Sequence, residues 1–166
     1  MSGMLESQYL TFSLGNERYA IPVGRVLEVL EYSQVTRLPG AERFMKGLIN
    51  LRGKGIPVLD LRLRFGMTET PMTRETATIV VEIAGEDHAM IVGILVDAVH
   101  EVVEIDSASI SPAPRLAGGP SCDFLTGIAR RGDGFALLLD TDRLFSAADI
   151  EIPAPDGDLS TLAVGV

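Results

Sequence analysis

The segment that decides the fold is residues 46–65, which read KGLINLRGKGIPVLDLRLRF. It contains two short apolar runs, Leu48–Leu51 and Ile56–Leu59, on either side of a Gly53-Lys54-Gly55 turn, and this pattern predicts a β-hairpin. Asp60 then stands where its carboxylate can cap a short helix that Gly66 ends. The predicted unit is a hairpin followed by about one turn of helix.

The same unit returns later in the chain, which indicates an internal duplication. Residues 19–29 also match residues 92–102 at one constant offset. The first half is therefore interpreted as a divergent copy of the second, and two such small β-barrels are predicted to share an apolar seam as one folded body. The other matches are Lys46-Gly47-Leu48 with Thr126-Gly127-Ile128, Arg52-Gly53-x-Gly55 with Arg131-Gly132-x-Gly134, and Phe65 with Phe145.

Many short strands separated by glycines indicate an all-β fold with a few short helices. The spacing of Val23, Val26, Leu27 and Leu30 predicts a short helix that passes into a strand near 28–32, and residues 41–46 are predicted as a helical turn. We expect one domain over 9–150, with approximate halves 9–66 (plus terminal segments) and 77–146, and flexible tails at 1–8 and 151–166. The remaining predicted strands are Tyr9–Leu14, Arg18–Ile21, Thr78–Ile83, His88–Leu95, Val99–Ile105, Leu125–Ala129 and Phe135–Leu139.

Composition and charge exclude several classes of function. With 46% hydrophobic and 22% charged residues the chain is globular, and its net charge of −9 argues against binding nucleic acid, which requires Lys and Arg to neutralise phosphates. The N-terminus has no signal-peptide pattern and no window is apolar enough to span a membrane. The single cysteine, Cys122, cannot form an internal disulfide. We expect a soluble cytoplasmic protein.

Residues that could support catalysis or metal binding are few. His88 and His100 have no partners at zinc-ligand spacing, and Cys122 has no local activating base. The Gly53-Lys54-Gly55 turn lacks the first glycine and the hydroxyl of a phosphate-binding loop. Asp60 and its counterpart Asp140 are interpreted as helix caps. An enzyme is therefore disfavoured, and no cofactor or metal is expected.

Charge is distributed unevenly along the chain. Between Arg37 and Arg64 seven basic residues oppose two acidic ones, so this stretch carries +5 and the rest carries −14. The stretch is either an ordinary solvated surface or an electrostatically marked docking face for a protein partner. Within it Arg52 precedes a glycine turn, where its guanidinium can reach an acidic partner or brace Glu28.

The chain closely resembles the CheW family of bacterial chemotaxis coupling proteins. Residues 46–53 (KGLINLRG) and 57–62 (PVLDLR) carry the resemblance, which extends from about Tyr9 to Phe145. It implies a fold of two SH3-like five-stranded barrels sharing a hydrophobic core. It also implies a non-catalytic adaptor that couples the cytoplasmic tips of chemoreceptors to the regulatory domain of the histidine kinase CheA. Supporting runs are 34–37, 92–97, 110–114, 125–128 and 137–140.

The resemblance further implies site residues and partners. Val26, Glu28, Gly47 and Arg52 match family positions linked to coupling, with Asn50 and Gly53 beside Arg52. A receptor-binding groove between the barrels is predicted to be lined by Val29, Leu48, Val96 and Val99 together with Val26. The protein is expected to be a monomer when isolated and to join membrane receptor arrays without inserting into the bilayer. Lys54-Gly55 departs from the apolar pair common in relatives, so one alternative is a paralogue that serves other receptors. A second alternative is an SH3-like module that binds another ligand.

Overall fold

The computed structural model describes residues 7–31, 35–68, 71–84, 89–112 and 124–144. These residues form eleven strands, two four-residue helices (α1, Leu61–Arg64; α2, Thr141–Leu144) and two 3₁₀ turns (Val23–Arg25 and Ser107–Ser109). No helix in this part of the chain is long and apolar enough to cross a membrane. The strands are β1 (Gln8–Leu14), β2 (Glu17–Pro22), β3 (Val26–Glu31), β4 (Met45–Leu51), β5 (Lys54–Asp60), β6 (Ala77–Ala84), β7 (Ala89–Val96), β8 (Ala98–Glu104), β9 (Ile110–Ser111), β10 (Leu125–Arg131) and β11 (Gly134–Leu139).

The strands form two sheets, which confirms the all-β prediction. Sheet A has six strands in the order β8-β1-β2-β11-β10-β9, and sheet B has five in the order β3-β6-β7-β5-β4. Neighbouring strands are antiparallel except for two parallel pairs, β2 with β11 and β5 with β7. A parallel pair in the middle of each sheet requires the chain to leave the sheet and return, so the two sheets are built by interleaved segments.

The two sheets are related by the internal duplication. Strands β1 to β5 with α1 correspond to β6, β7, β8, β10 and β11 with α2, and the orders β3-β6-β7-β5-β4 and β8-β1-β2-β11-β10 then coincide. Sheet A contains β1 and β2 of the first copy and β8, β10 and β11 of the second, with β9 added at its edge, and sheet B contains β6 and β7 of the second copy and β3, β4 and β5 of the first. The predicted halves 9–66 and 77–146 therefore describe copies in the sequence, whereas each sheet in space draws on both.

The core has three parts, which match a pair of barrels with a shared centre. The large central cluster takes side chains from both sheets, including Phe12, Ile21, Leu59 and Ile94. A small cluster with Ala20, Ile105, Ala129 and Leu138 belongs to sheet A. Its counterpart in sheet B contains Ile49, Ile56, Val58 and Leu95. Because the largest cluster lies between the sheets, burial of its apolar surface holds the barrels together as one body.

An aromatic row crosses the central cluster. Phe12 stacks on Tyr19 with ring centroids 5.9 Å apart, Tyr19 contacts Phe65 at 5.6 Å, and Phe65 contacts Phe124 at 5.6 Å. Burial raises the pKa of the Tyr19 hydroxyl, and the nearby carboxylate of Glu17 adds to the shift. Arg64 lies against this row, with its guanidinium carbon 5.0 Å from the centre of the Phe124 ring.

Two predicted helices are wrong. Val23–Arg25 forms only a 3₁₀ turn. The predicted passage into a strand near 28–32 is confirmed as far as Glu31, but strand β3 already begins at Val26, and its residues alternate between half-buried and exposed. Apolar residues on both faces of this edge strand imitate helical spacing. Residues 41–46 are not helical either, because the chain already joins sheet B there: Met45 pairs with Leu59.

Candidate functional site: the Arg52 turn

The hairpin between β4 and β5 is closed by two residues, Arg52 and Gly53. Leu51 pairs directly with Lys54, so the predicted Gly53-Lys54-Gly55 turn is wrong and Lys54 and Gly55 belong to strand β5. Both turn residues have positive φ, 53° for Arg52 and 85° for Gly53, which is the backbone of a type I′ turn. The Asn50 side-chain oxygen accepts a hydrogen bond from the Gly53 N–H at 2.9 Å and fixes the turn.

Arg52 is held in an unusual backbone conformation. It is the one non-glycine residue with positive φ in the described part of the chain. In the second copy Arg131 pairs with Gly134, so the equivalent turn position is Gly132, with φ of 59°. The alignment of Arg52 with Arg131 is therefore wrong by one residue. An arginine where glycine would be unstrained costs about 1 kcal/mol, which points to a use for its side chain.

The Arg52 side chain reaches across the open end of sheet B to strand β3. Its Nη1 donates to the Glu28 carboxylate at 2.7 Å. The Arg52 side chain is 75% exposed and that of Glu28 is 26% exposed. Because β3 and β4 are the two edge strands of sheet B, the pair joins the hairpin tip to the opposite edge. An ion pair this exposed contributes at most about 1 kcal/mol to stability.

The surface beside this pair is apolar. Strand β3 exposes Leu27 and Val29, which are 48% and 44% accessible. A β-bulge lies between Val26 and Glu28, and beyond it Val29 faces the side of the sheet opposite Glu28 and Leu30. Leu27 was not predicted as a site residue, because the helical interpretation of this segment hid the alternation that exposes it. Leu27 and Val29 therefore flank Glu28 along strand β3, and Glu28 pairs with Arg52 of the opposite turn.

The predicted groove is only partly supported by burial. Val96 is completely buried in the central cluster, so it contributes packing and cannot line an accessible groove. Val26 and Val99 are half-buried and pack against the same cluster. Val26 and Val29 lie on the same face of sheet B, because a β-bulge separates them and they pair with Val81 and Ile79, which are two residues apart on β6. Leu48 lies half-buried on β4, where it pairs with Thr36 in an isolated bridge.

Gly47 is buried and has a backbone role. Its φ is 142°, and a Cβ atom there would overlap the carbonyl oxygen of Thr36 and approach the Val35 Cγ1 to 2.9 Å. Thr36 and Leu48 exchange two backbone hydrogen bonds of 2.8 Å beside it. Gly47 thus lets segment 35–36 lie directly against β4, and it is not itself a contact surface.

The basic stretch between Arg37 and Arg64 does not form one docking face. Lys46 lies 3.8 Å from the Asp60 carboxylate, Arg62 is 1% exposed, and Arg64 sits 4.7 Å from the centre of the Phe44 ring. These three cations are buried or half-buried and contact residues of the fold itself. The exposed cations lie at the two ends of β4, with Arg37 and Arg43 before it and Arg52 and Lys54 after it.

A buried ionic cluster lies behind strand β5. Arg62 binds Asp60 through two side-chain hydrogen bonds, Nε to Oδ1 at 3.0 Å and Nη2 to Oδ2 at 2.9 Å, and its Nη1 donates to Asp97 at 2.9 Å. The hydrogen bond to Asp60 raises the pKa of the Arg62 guanidinium, against the opposing effect of burial, and the Asp97 charge adds to the rise. Asp60 also caps α1, accepting from the Arg62 N–H at 3.0 Å. The predicted cap is confirmed.

The residues considered for catalysis are not gathered into a centre. Asp140 accepts from the Asp142 N–H at 3.0 Å, so it too caps its helix as predicted. His100 is exposed on strand β8. Among the described residues no group of three or more His, Cys, Asp or Glu could hold a metal ion. His88 and Cys122 lie outside the described residues.

Two interleaved barrels with an exposed, strained arginine at one hairpin tip define a protein-binding scaffold. The family model described as CheW-like domain matches residues 8–149, and the chain belongs to the CheW family of chemotaxis scaffold proteins, a non-catalytic family. This membership confirms the coupling and non-enzymatic predictions and the chemotaxis assignment.

Individual relatives agree with the family assignment. The chain is 34% identical over 145 residues to the chemotaxis protein CheW of Klebsiella aerogenes, covering 87% of this chain and 85% of that protein. It is 31% identical over 145 residues to Protein FrzA of Myxococcus xanthus, covering 86% and 88%. The crystal structure of the scaffolding protein TtCheW from Thermoanaerobacter tengcongensis superposes with a TM-score of 0.78 at 36% identity, covering 89% of this chain and 92% of that chain. The structural match confirms the CheW-like fold.

Proposed function

We propose that the protein couples chemoreceptor tips to the regulatory domain of CheA through the Arg52 turn and the adjoining face of strand β3. The observation that carries this proposal is an arginine in a left-handed backbone conformation, paired with Glu28 at 2.7 Å while three-quarters of its side chain stays exposed. The pair contributes little to stability. Its remaining guanidinium donors suit a planar, bidentate contact with a carboxylate on a partner.

The chemistry beside Arg52 suits a helical partner. Leu27 and Val29 are exposed on strand β3, next to Glu28. An amphipathic receptor helix would lay apolar side chains on these two residues and polar groups at the ionic rim. Of the groove residues predicted from the sequence, Val29 keeps the largest accessible surface, and Val26, Leu48 and Val99 would contribute through their partly exposed atoms. In this proposal the protein is a cytoplasmic monomer that is recruited to receptor arrays by these contacts.

Arg52→Gly is the sharpest test, because glycine relieves the backbone strain while removing the side chain. We expect the variant to be at least as stable as the wild type in urea denaturation. Assembly with receptor-bearing membranes and CheA, measured by co-sedimentation, is expected to fall roughly tenfold or more, as for a central interface arginine. Arg52→Lys keeps the charge and loses the bidentate geometry, so its assembly is expected to lie between that of the wild type and that of Arg52→Gly.

Lys54→Ala provides the matched control, because Lys54 is an exposed cation two residues away at the start of strand β5. Its assembly should stay within about twofold of the wild type. Equal assembly by the wild type and Arg52→Gly would contradict the role of Arg52. If the wild type binds neither the receptor nor the kinase, the alternative of an SH3-like module with another ligand is favoured.

A further inference from the structure

The chain crosses between the two sheets at two equivalent points. It passes from β2 in sheet A to β3 in sheet B through Val23–Arg25, and from β7 in sheet B to β8 in sheet A through Asp97. At each crossing a carboxylate binds both a cationic side chain and a backbone N–H at the tip of a neighbouring strand. We call these two arrangements the inner clamp and the outer clamp.

The inner clamp consists of Arg62, Asp97 and Gly15. Asp97 Oδ2 accepts from the Gly15 N–H at 2.6 Å, in the turn between β1 and β2. Asp97 Oδ1 accepts from Arg62 Nη1 at 2.9 Å. Gly15 belongs to sheet A and Arg62 lies on α1, directly after a strand of sheet B. The carboxylate therefore ties one barrel to the other.

The outer clamp consists of Arg25, Asp142 and Ala84. Asp142 Oδ1 accepts from the Ala84 N–H at 2.9 Å, at the end of β6 in sheet B. Asp142 Oδ2 binds Arg25 Nη2 at 3.0 Å. Ala84 is the counterpart of Gly15, since the two copies pair in the same register. The charges are exchanged, because here the carboxylate is on the helix and the cation is at the crossing.

The two clamps differ in their exposure to water. In the inner clamp the Arg62 side chain is 1% exposed and that of Asp97 is 23% exposed. In the outer clamp the values are 41% for Arg25 and 34% for Asp142. Arg62 is further held by Asp60, whereas Arg25 adds, among the described residues, only a long contact of 3.4 Å to the Glu82 carbonyl oxygen. The inner clamp is fixed by burial, and the outer clamp is open to solvent and to screening by salt.

We propose that Arg25 and Asp142 are positioning residues for coupling, which set the angle between the two barrels that simultaneous binding of kinase and receptor requires. This inference rests on the proposed coupling function. The inner clamp acts as the permanent hinge point, and the outer clamp holds the second crossing closed. A scaffold must hold both partners in a fixed relative orientation. Loosening the outer clamp therefore reduces ternary assembly with kinase and receptor more than it reduces the binary affinity for either partner.

The test measures the barrel angle and coupling separately. Spin labels at Glu104→Cys in sheet A and Glu75→Cys beside sheet B, in a Cys122→Ser background, report the distance between the barrels by pulsed electron paramagnetic resonance. Asp142→Ala is expected to broaden the distance distribution and to speed amide exchange at Ala84, with Gly15 unchanged. Ternary assembly with CheA and receptor is expected to fall about fivefold, while each binary affinity changes by less than about twofold.

Conservative variants separate positioning from a general structural role. Asp142→Asn keeps an acceptor for the Ala84 N–H and is expected to retain most of the ternary assembly, and Arg25→Lys keeps the charge and is expected to rescue Arg25→Ala. An unchanged distance distribution in Asp142→Ala, or equal losses in binary and ternary binding, would overturn the inference. Loss of both binary contacts in the wild type would instead refute the coupling proposal, while the distance measurement would still decide whether the outer clamp sets the angle.

Discussion

Asp60→Ala is expected to lower the free energy of unfolding by about 3 to 5 kcal/mol, because it leaves the buried Arg62 guanidinium without its main counter-charge. Asp60 is completely buried, and it binds Arg62 through both carboxylate oxygens. Its loss also uncaps α1 and removes one ionic contact of Lys46. Typical domains are stable by about 5 to 15 kcal/mol, so the variant should unfold at markedly lower urea concentration and temperature.

Asp140 offers the matched control, since it occupies the same place in the second copy. It also caps its helix, but its side chain is 30% exposed and its bond to Arg143 is 3.5 Å long. Asp140→Ala should therefore cost only about 1 kcal/mol, the usual value of a cap. Asp60→Asn keeps an acceptor for the cap, so its loss of unfolding free energy should lie between the losses of Asp60→Ala and Asp140→Ala. Equal unfolding midpoints for Asp60→Ala and Asp140→Ala would show that the buried ionic cluster does not stabilise the fold.

The duplication and most strands could be predicted from the sequence, because they depend on local signals. Alternating apolar residues mark the strands, and Asp60 and Asp140 mark helix starts by residue type alone. The exchange of strands between copies could not be predicted in this way. Strand β2 can pair with its own copy or with the other, and the same apolar residues would be buried in either case. Only the packing of the whole chain decides between them.

The site shows a similar division between local and tertiary information. Arg52 and Glu28 could be proposed as a pair, and the structure joins them at 2.7 Å. The left-handed backbone of Arg52 could not be predicted, because arginine rarely adopts it and the glycines after Arg52 suggested a later turn. Val96 reads as apolar surface or apolar core equally well. The net charge of the basic stretch likewise does not indicate that Lys46, Arg62 and Arg64 are buried or half-buried against other residues of the fold.

The two copies have diverged at the hairpin tip that we propose as the binding site and at the short helix that follows the hairpin. The first copy has Arg52 and the buried Arg62, and the second has Gly132 and the half-exposed Asp142 at the equivalent positions. One hairpin tip thus presents a guanidinium, and the other presents Phe135, which is 56% exposed. A symmetric fold has in this way acquired two different surfaces, as a scaffold that joins unlike partners requires.

Gly47→Ala should displace segment 35–36 from strand β4, because the new methyl group would occupy the place of the Thr36 carbonyl oxygen. That oxygen accepts a hydrogen bond from the Leu48 N–H at 2.8 Å, and Val35 packs against the core of sheet B. Relief by movement of a side-chain tip is not possible, since the Thr36 backbone is the obstacle. Overpacking and the φ of 142° together should cost roughly 2 to 6 kcal/mol in urea denaturation.

Gly134 and Gly127 provide control substitutions for this prediction, because an added methyl group would meet less obstruction at each of them than at Gly47. A methyl group at Gly134 would have no neighbour within 4 Å, so Gly134→Ala should be neutral or stabilise slightly. At Gly127 the obstacles are the Ile110 Cγ2 at 2.5 Å and the Ser111 carbonyl oxygen at 2.9 Å, so the loss should be intermediate, because the overlap with a backbone oxygen is smaller than at Gly47. Similar stabilities for Gly47→Ala and Gly134→Ala would contradict the close approach. Since Gly47 is buried, any loss of coupling in Gly47→Ala must act through the shifted backbone beside Leu48. That loss should therefore increase with the loss of stability. In Arg52→Gly, by contrast, coupling is expected to fall while stability is kept.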